Sequence, residues 1–365
     1  MRPRWREAEG DPDCAEAIAL TANNPRKRRN ALIGLGMVVK PHIMSLADLA
    51  DRAEIAACFT PSAGRRAAFT KAYPDLPLAE DLDKLFADGS IDAVFLLTPP
   101  FTHLELIERA ARHGKHVVIE KPLDVSVARA THAVEAMERA GLKLGIVLQY
   151  RFRKASHRLA GLIKEGRLGK LISGSAAIRW WRPPTYFAEA GRGMKARDGG
   201  GVLLTQAIHT LDLFQSLAGP IASVAAMART SSLRRIDTED IVGAAIEFAN
   251  GAVGTIDATT VAYPGYPERI ELACEHATAT LEAETLDVHF KDGGHLREEG
   301  APSRSGGADP MAFRHEAHRG VIADFLDALD TGREPAINGR EALKVQHLIE
   351  ALLRSSAERR FVEVA

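Results

Sequence analysis

The chain has 365 residues, 46% of them hydrophobic, with 47 Lys and Arg set against 48 Asp and Glu. That length suits two domains with real cores, and the charge balance gives no field to draw in nucleic acid or a membrane surface. Three scattered cysteines, Cys14, Cys58 and Cys274, argue against a disulfide framework and suit the cytoplasm, and no apolar run approaches the ~20 residues that span a bilayer.

Residues 1–30 are polar and end in a basic cluster from Arg26 to Arg29. A basic cluster before an apolar run can open a secretory signal, but the run that follows here, ALIGLGMVV, holds a glycine turn and no small-residue cleavage pattern comes after it. The first 30 residues therefore read as a loosely ordered leader. From Ala31 short apolar runs alternate with helical ones. ALIGLG, EIAACF, IDAVFLL, HVVIE and KLGIVLQ read as strands. VVKPHIMSLADLADRA, PSAGRRAAFTKAY, FTHLELIERAARHG and VSVARATHAVEAMERAG read as helices, the first with Ile43, Leu46, Ala47 and Ala50 on one face. This alternation over residues 31–150 predicts a parallel sheet with helices on both faces, which holds ligands at the carboxyl ends of its strands.

Four such ends carry candidate residues. Gly34 and Gly36 follow the first strand, with Met37 and Val38 opening the next helix. Glycines there allow a tight turn and let a pyrophosphate approach backbone N–H groups. Val39 stands at the third glycine of the full fingerprint. The second strand ends at Thr60 and Ser62, followed by Arg65 and Arg66, without the acid that usually binds the ribose of NAD. This pattern favours NADP(H) over NAD(H), although both arginines also read as plain solvent-facing charges. Thr98, Pro99, Pro100 and His103 follow a third strand, and Glu120-Lys121-Pro122 a fourth. A half-buried lysine beside a dinucleotide has its ammonium form disfavoured and can move a hydroxyl proton near neutral pH. Pro122 restricts Lys121 to extended backbone and allows a cis bond. Read alone, a lysine at a strand end is more often a plain surface charge.

Residues 151–365 form the expected second domain. Tyr150 and Arg151 follow the last strand of the first. SGSAAIRWW reads as a strand, after which Arg179, Trp180, Trp181, Arg182 and Tyr186 gather. Flat aromatics stack on sugar faces and arginines hold hydroxyls or anions, while sheet packing is the plainer role for the two tryptophans. GGGVLLTQAIHTLD runs three glycines into a helix carrying Thr205, His209 and Asp212 at i, i+4 and i+7. Asn250-Gly251 between two strand-like runs predicts a hairpin, and YPGYPERIELA suggests a further strand. KDGGHLREEGAPSRSGGADP reads as a loop, and the last 50 residues as two helices. His315 and His318 stand at helical spacing, but no carboxylate or cysteine set completes a metal site, and none is expected.

TPPFTHLELIERAARHGKHVVIEKPL, VLQYRFR, EGRLGKLISGSAAIRWWRP, ARDGGGVLLTQAIHTLDL and IADFLDALDTGREPAINGREALKVQHLIEALLRSS together resemble the Gfo/Idh/MocA oxidoreductases over residues 31–365. The resemblance implies an N-terminal Rossmann dinucleotide-binding domain and a C-terminal α/β domain with a large, open, mostly antiparallel sheet, substrate lying between them. It implies that Lys121 is the motif lysine, that Glu120 positions its loop, and that His209 faces the nicotinamide and the substrate hydroxyl, the glycines letting the chain approach the cofactor. Many relatives have an aspartate where this chain has Thr205, whose hydroxyl orients a substrate but is no general base, and Asp212 either orients His209 or faces solvent. The expected catalytic set is Lys121, His209 and Thr205. The expected cofactor set is Gly34, Gly36, Met37, Val38, Thr60, Ser62, Arg65, Thr98, Pro99, Pro100, His103, Glu120 and Lys121. Arg151, Arg179, Trp181, Tyr186, Thr205 and His209 are expected around the substrate. The implied activity is NAD(P)-dependent oxidation of a secondary hydroxyl on a sugar, sugar derivative or cyclitol by a homo-oligomer. Glycoside cleavage by oxidation and elimination on the same fold, and non-catalytic dinucleotide sensing, stay open beside it.

Overall fold

The structure, a computed structural model, describes residues 26–300 and 314–365. Five parallel strands form the first sheet: β1 (Arg28–Ile33), β2 (Ala53–Phe59), β3 (Ala93–Leu96), β4 (His116–Ile119) and β5 (Leu144–Ile146), in the order β2-β1-β3-β4-β5. Every residue of β3 is buried, as expected for an apolar strand covered on both faces. The connecting helices are α1 (Val39–Asp48), α2 (Ala63–Ala72), α3 (Leu82–Ala87), α4 (His103–Arg112) and α5 (Val127–Arg139). Helix α3 is absent from the sequence-based reading, although Asp81 marks its start by accepting hydrogen bonds from Asp83 N and Lys84 N.

Strand β1 begins at Arg28, inside the segment expected to be leader. Its basic residues have acidic partners distant in sequence: Arg28 pairs with Asp330 at 2.9 Å, and Arg29 N donates to Asp92 Oδ2 at 2.8 Å. Residues 1–25 of that segment, Cys14 included, lie outside the described residues.

A second sheet of nine strands follows: β6 (Leu171–Arg179), β7 (Ile221–Arg229), β8 (Ile241–Phe248), β9 (Val253–Thr259), β10 (Arg269–Cys274), β11 (Ala277–Glu282), β12 (Thr285–Phe290), β13 (His295–Glu298) and β14 (Val362–Glu363). Their order is β13-β12-β11-β10-β6-β9-β8-β7-β14, and the pairing is antiparallel except between β6 and β9. The β8–β9 hairpin turns at Asn250-Gly251. Only Gly251 takes positive φ, and Asn250 closes the turn by accepting from Ala252 N at 3.0 Å. The segment expected as one long loop contains β13, whose His295 and Arg297 face outward around Leu296 after a turn at Gly293. Residues 301–310 of that segment lie outside the described residues.

Helices α6 (Lys154–Lys164), α7 (Lys195–Asp198) and α8 (Ile208–Ala218) belong to the second domain. Of the two C-terminal helices, α9 (Glu316–Thr331) returns to the first domain and packs on α1 and β5. Phe325 fills the space beside Gly145, where an added Cβ would stand 2.9 Å from its ring. Helix α10 (Gly339–Glu358) bridges, touching α5 on one side and α8 and β7 on the other. No helix among the described residues is long and apolar enough to cross a membrane.

Candidate active site

The carboxyl ends of β1, β3 and β4 open into a cleft of about 310 Å³ whose far wall comes from the second domain. At the end of β1, Gly34 has φ +103°, and an added Cβ would lie 2.6 Å from the Leu97 carbonyl, so a side chain is excluded. At Gly36 such a Cβ would meet, among the described residues, only Arg65 Nη1 at 4.0 Å. The backbone there stays approachable. Met37, Val38, Arg65, Thr98, Pro99, Pro100, Glu120 and Lys121 all line this cleft. Val39, at the third fingerprint position, is buried in the α1 core.

Three expected cofactor residues serve the scaffold instead. Ser62 caps α2, accepting from Arg65 N at 3.3 Å. Thr60 is buried, and its hydroxyl accepts from Ser62 N. His103 is buried within the first domain, its ring nitrogens 3.0 Å from the Pro122 carbonyl and 2.9 Å from that of Thr98. It ties together the two strand-end loops without reaching the cleft.

Lys121, joined to Pro122 by a cis bond, donates from Nζ to the Thr205 carbonyl at 2.6 Å. Burial brings its ammonium down to about 8, Glu120 opposing the shift and Arg192 and Arg182 adding to it. The Thr205 carbonyl lies in a π-helical turn, Leu203–Ala207, that precedes α8; such turns redirect backbone groups. The Thr205 hydroxyl is used locally, donating to the Gly201 carbonyl at 2.7 Å. Thr205 therefore acts on Lys121 through its backbone, not through the hydroxyl that the sequence put forward.

The glycines before this turn meet protein, not the cofactor side of the cleft. A Cβ on Gly199 would lie 2.7 Å from Val125, and one on Gly201 1.8 Å from the Glu239 carbonyl oxygen. The buried Glu239 carboxylate accepts from Gly201 N at 3.0 Å and Leu203 N at 3.1 Å, satisfying the orphan donors of the helix start.

His209 is buried, stacked on Tyr150 with ring centroids 5.0 Å apart, and its Nδ1 has no hydrogen-bond partner among the described residues. Burial and the charges of Lys121, His318 and Arg153 hold it well below the usual imidazole range, so it is neutral. Asp212 neither orients His209 nor faces solvent. It is buried in a two-pronged pair with Arg151, at 2.6 and 2.8 Å, with Glu341 on the same guanidinium. Arg151 is thereby taken out of the expected substrate set.

Two more expected substrate residues lie on the wrong face of the sheet. Along β6 the residues facing the core are Gly174, Ala176 and Ile178, and the same parity continues through Trp180 and Arg182 into the cleft wall. Arg179 and Trp181 point the other way, to Asp257 at 3.0 Å and to the edge of Tyr263. Tyr186 does line the cleft, with the guanidinium groups of Arg192 and Arg182 over its face. The sequence reading missed Gln149, Arg153, Arg192, Asp198 and Gln206 on the cleft wall. Strand parity alone identifies Trp180 and Arg182.

Behind Lys121, Glu120 forms a 2.7 Å hydrogen bond with His42 Nε2, and its other oxygen accepts from Lys121 N. Burial pushes the Glu120 carboxyl up, but His42, His318 and Lys121 outweigh it and keep it below its usual range. His318 packs edge-on against His42, and burial drives it down to about 3. A carboxylate thus does stand with His318, contrary to the sequence reading: donor atoms of His42, Glu120 and His318 lie within 4.8 Å of one another. His315 is separate and bonds Asp48 at 2.9 Å.

Residues 28–147 match the family model described as "Oxidoreductase family, NAD-binding Rossmann fold", and residues 156–280 match the "GFO/IDH/MocA C-terminal domain". The WlbA dehydrogenase of Bordetella pertussis, solved with NADH and UDP-GlcNAcA, is 30% identical with a TM-score of 0.80, over 93% of this chain and 99% of that one. The chain belongs to the Gfo/Idh/MocA oxidoreductase family. Among curated relatives of this oxidoreductase, D-apiose dehydrogenase of Paraburkholderia graminis is 26% identical over 96% of this chain and 94% of its own. Inositol 2-dehydrogenase of Rhizobium meliloti is 27% identical over 92% and 99%. The residues present fit the dinucleotide that such a Rossmann domain holds. The open backbone at Gly36 suits a pyrophosphate, and the unpartnered Nδ1 of His209 is a polar atom left for a ligand.

Proposed function

We propose that this oxidoreductase is an NAD(P)-dependent dehydrogenase acting on a secondary hydroxyl of a sugar, sugar derivative or cyclitol. The observation that carries this reading is the meeting of Lys121, from the first domain, and His209, from the second, on one cleft beside Gly36 and Pro99. The dinucleotide supplies the acceptor or donor of hydride. Its holders would be the backbone at Gly36 to Val38, Thr98 to Pro100, and Arg65. Lys121, poised near pH 8, takes the hydroxyl proton during oxidation and returns it during reduction. The neutral His209 orients the same hydroxyl by a hydrogen bond, and the Thr205 carbonyl fixes where the amine stands. No carboxylate stands at the end of β2, where Thr60, Ser62 and Arg65 lie instead, which favours NADP(H) over NAD(H). This chemistry needs no metal.

The reading includes self-association. On the sheet face away from the helices, Ser175, Thr255, Ala245 and Ala225 stand in register across four strands, flanked by the exposed Val253 and Met227. A flat face of small side chains with apolar flanks suits a second copy of the same surface.

The test is incubation of the enzyme with NAD+ or NADP+ and a panel of sugars, sugar acids and cyclitols, with absorbance of the reduced nicotinamide as readout. Stoichiometric reduced cofactor and a keto product are expected. Glycoside cleavage without net reduction would point to oxidation–elimination, and dinucleotide binding without turnover on any substrate would point to a sensor.

A further inference from the structure

One edge of the nine-stranded sheet brings two imidazoles and a carboxylate together, away from the cleft. Strands β12 and β13 pair antiparallel, with His289 directly opposite His295 and Asp287 opposite Arg297. Along β12 the side chains of Leu286 and Val288 are buried, so Asp287 and His289, two residues apart, stand together on the outward face. His295 joins them from across the ladder. His289 Nε2 and His295 Nε2 each lie 2.9 Å from the same oxygen, Asp287 Oδ1. The two rings stack with centroids 4.4 Å apart and planes 16° from parallel. Arg297 Nη1 donates to the other oxygen, Asp287 Oδ2, at 2.9 Å, which fixes how the carboxylate is turned. One ligand atom from each of Asp287, His289 and His295 lies within 4.8 Å of the other two. None of these four side chains lines the cleft.

We propose that Asp287, His289 and His295 form a surface site for a divalent transition-metal ion of the zinc class, which staples the edge hairpin β12–β13. The site stands apart from the dehydrogenase reading and does not rest on it. Ligand atoms at ~2.0–2.2 Å from Zn2+ in a tetrahedron are ~3.3 Å from one another. The two 2.9 Å approaches to Asp287 Oδ1 therefore need only a small opening to admit the ion, and both imidazoles are exposed enough to make it. Two ring nitrogens with one carboxylate oxygen select zinc, copper(II) or nickel over magnesium and calcium, which take oxygen shells. Three protein ligands leave the fourth position to water. Arg297 orients the carboxylate, as groups behind metal ligands do. A surface ion pair, worth little when exposed, accounts for one imidazole on the carboxylate. It does not account for two, facing each other across the strands and meeting one oxygen. Because the ligands come from both strands, the bound ion ties the edge strand β13 to β12.

The experiment uses tag-free, full-length protein stripped with a chelator. ZnCl2 is titrated in a calorimeter and CoCl2 with visible absorption as readout, MgCl2 serving as control. Wild type is compared with His289→Ala, His295→Ala and Asp287→Asn. The expected result is one tight zinc ion per chain, the visible bands of tetrahedral Co2+, and no comparable binding of Mg2+. Each histidine variant should weaken zinc binding by ~100-fold or more, at or above the ~10–100-fold that loss of a merely supporting residue costs. Asp287→Asn keeps the shape and loses the charge, and should weaken it by at least ~10-fold. All three variants should keep the wild-type dinucleotide affinity, which shows that they fold. Absence of zinc binding by the wild type, or binding unaltered in both histidine variants, would overturn the proposal and leave the dehydrogenase reading standing.

Discussion

Lys121 is tuned by groups that lie far from it in sequence. Burial disfavours its ammonium, Arg182 and Arg192 add repulsion, and Glu120, kept anionic by His42, pulls the other way to leave the amine titrating near 8. The pH dependence follows with a definite sign. Oxidation needs the free amine, so kcat/KM for alcohol oxidation should rise about tenfold per pH unit below 8 and level off above it. Reduction needs the ammonium and should fall above 8. Steady-state profiles in both directions check this, and flat profiles between pH 6 and 9 would remove Lys121 as the proton carrier. The lysine was legible in the sequence because Glu120-Lys121-Pro122 closes an apolar strand. Arg151 was misplaced because its partner Asp212 is 61 residues away and only folding makes them meet. Residue type cannot separate Trp180 from Trp181; only strand parity does, and it turns Trp180 to the cleft.

At the scale of elements, the glycine run and the π turn after it act as one device. Gly201 sits against the Glu239 backbone, Glu239 caps the helix start, and the turn directs the Thr205 carbonyl at Lys121. A Gly201→Ala variant has no room for its Cβ and should lose about 3 kcal/mol of stability through overpacking. Gly64→Ala in α2, where nothing lies within 4 Å, should be neutral or slightly stabilising. Denaturant unfolding of both variants decides the matter, and equal midpoints would mean the close approach at Gly201 carries no constraint. The strands and long helices were legible from apolar periodicity. The π turn was not, because its five residues carry no periodic signature of their own. Strand β13 was masked by the Gly, Ser and Pro content around it, although His295 to Arg297 already alternates.

For the whole molecule, the two-domain plan followed from length and from the change of pattern after KLGIVLQ, but the return of α9 to the first domain did not. Its apolar face fits either domain in sequence terms, and its packing on α1 and β5, with Phe325 beside Gly145, selects the first. Self-association belongs to this scale too. Val253→Arg places a charge on the open sheet face, and light scattering should show a smaller species than the wild type. An unchanged mass would move the interface elsewhere.

The central claim is that Lys121 moves the substrate proton in a cleft that both domains build. Its most direct test is Lys121→Met, measured for dinucleotide affinity by fluorescence titration and for turnover on the best substrate of the panel. The expected result is binding within ~3-fold of wild type with turnover reduced by ~10²–10⁴-fold, the usual worth of a positioned acid–base group. Turnover close to wild type, with binding intact, would contradict the account.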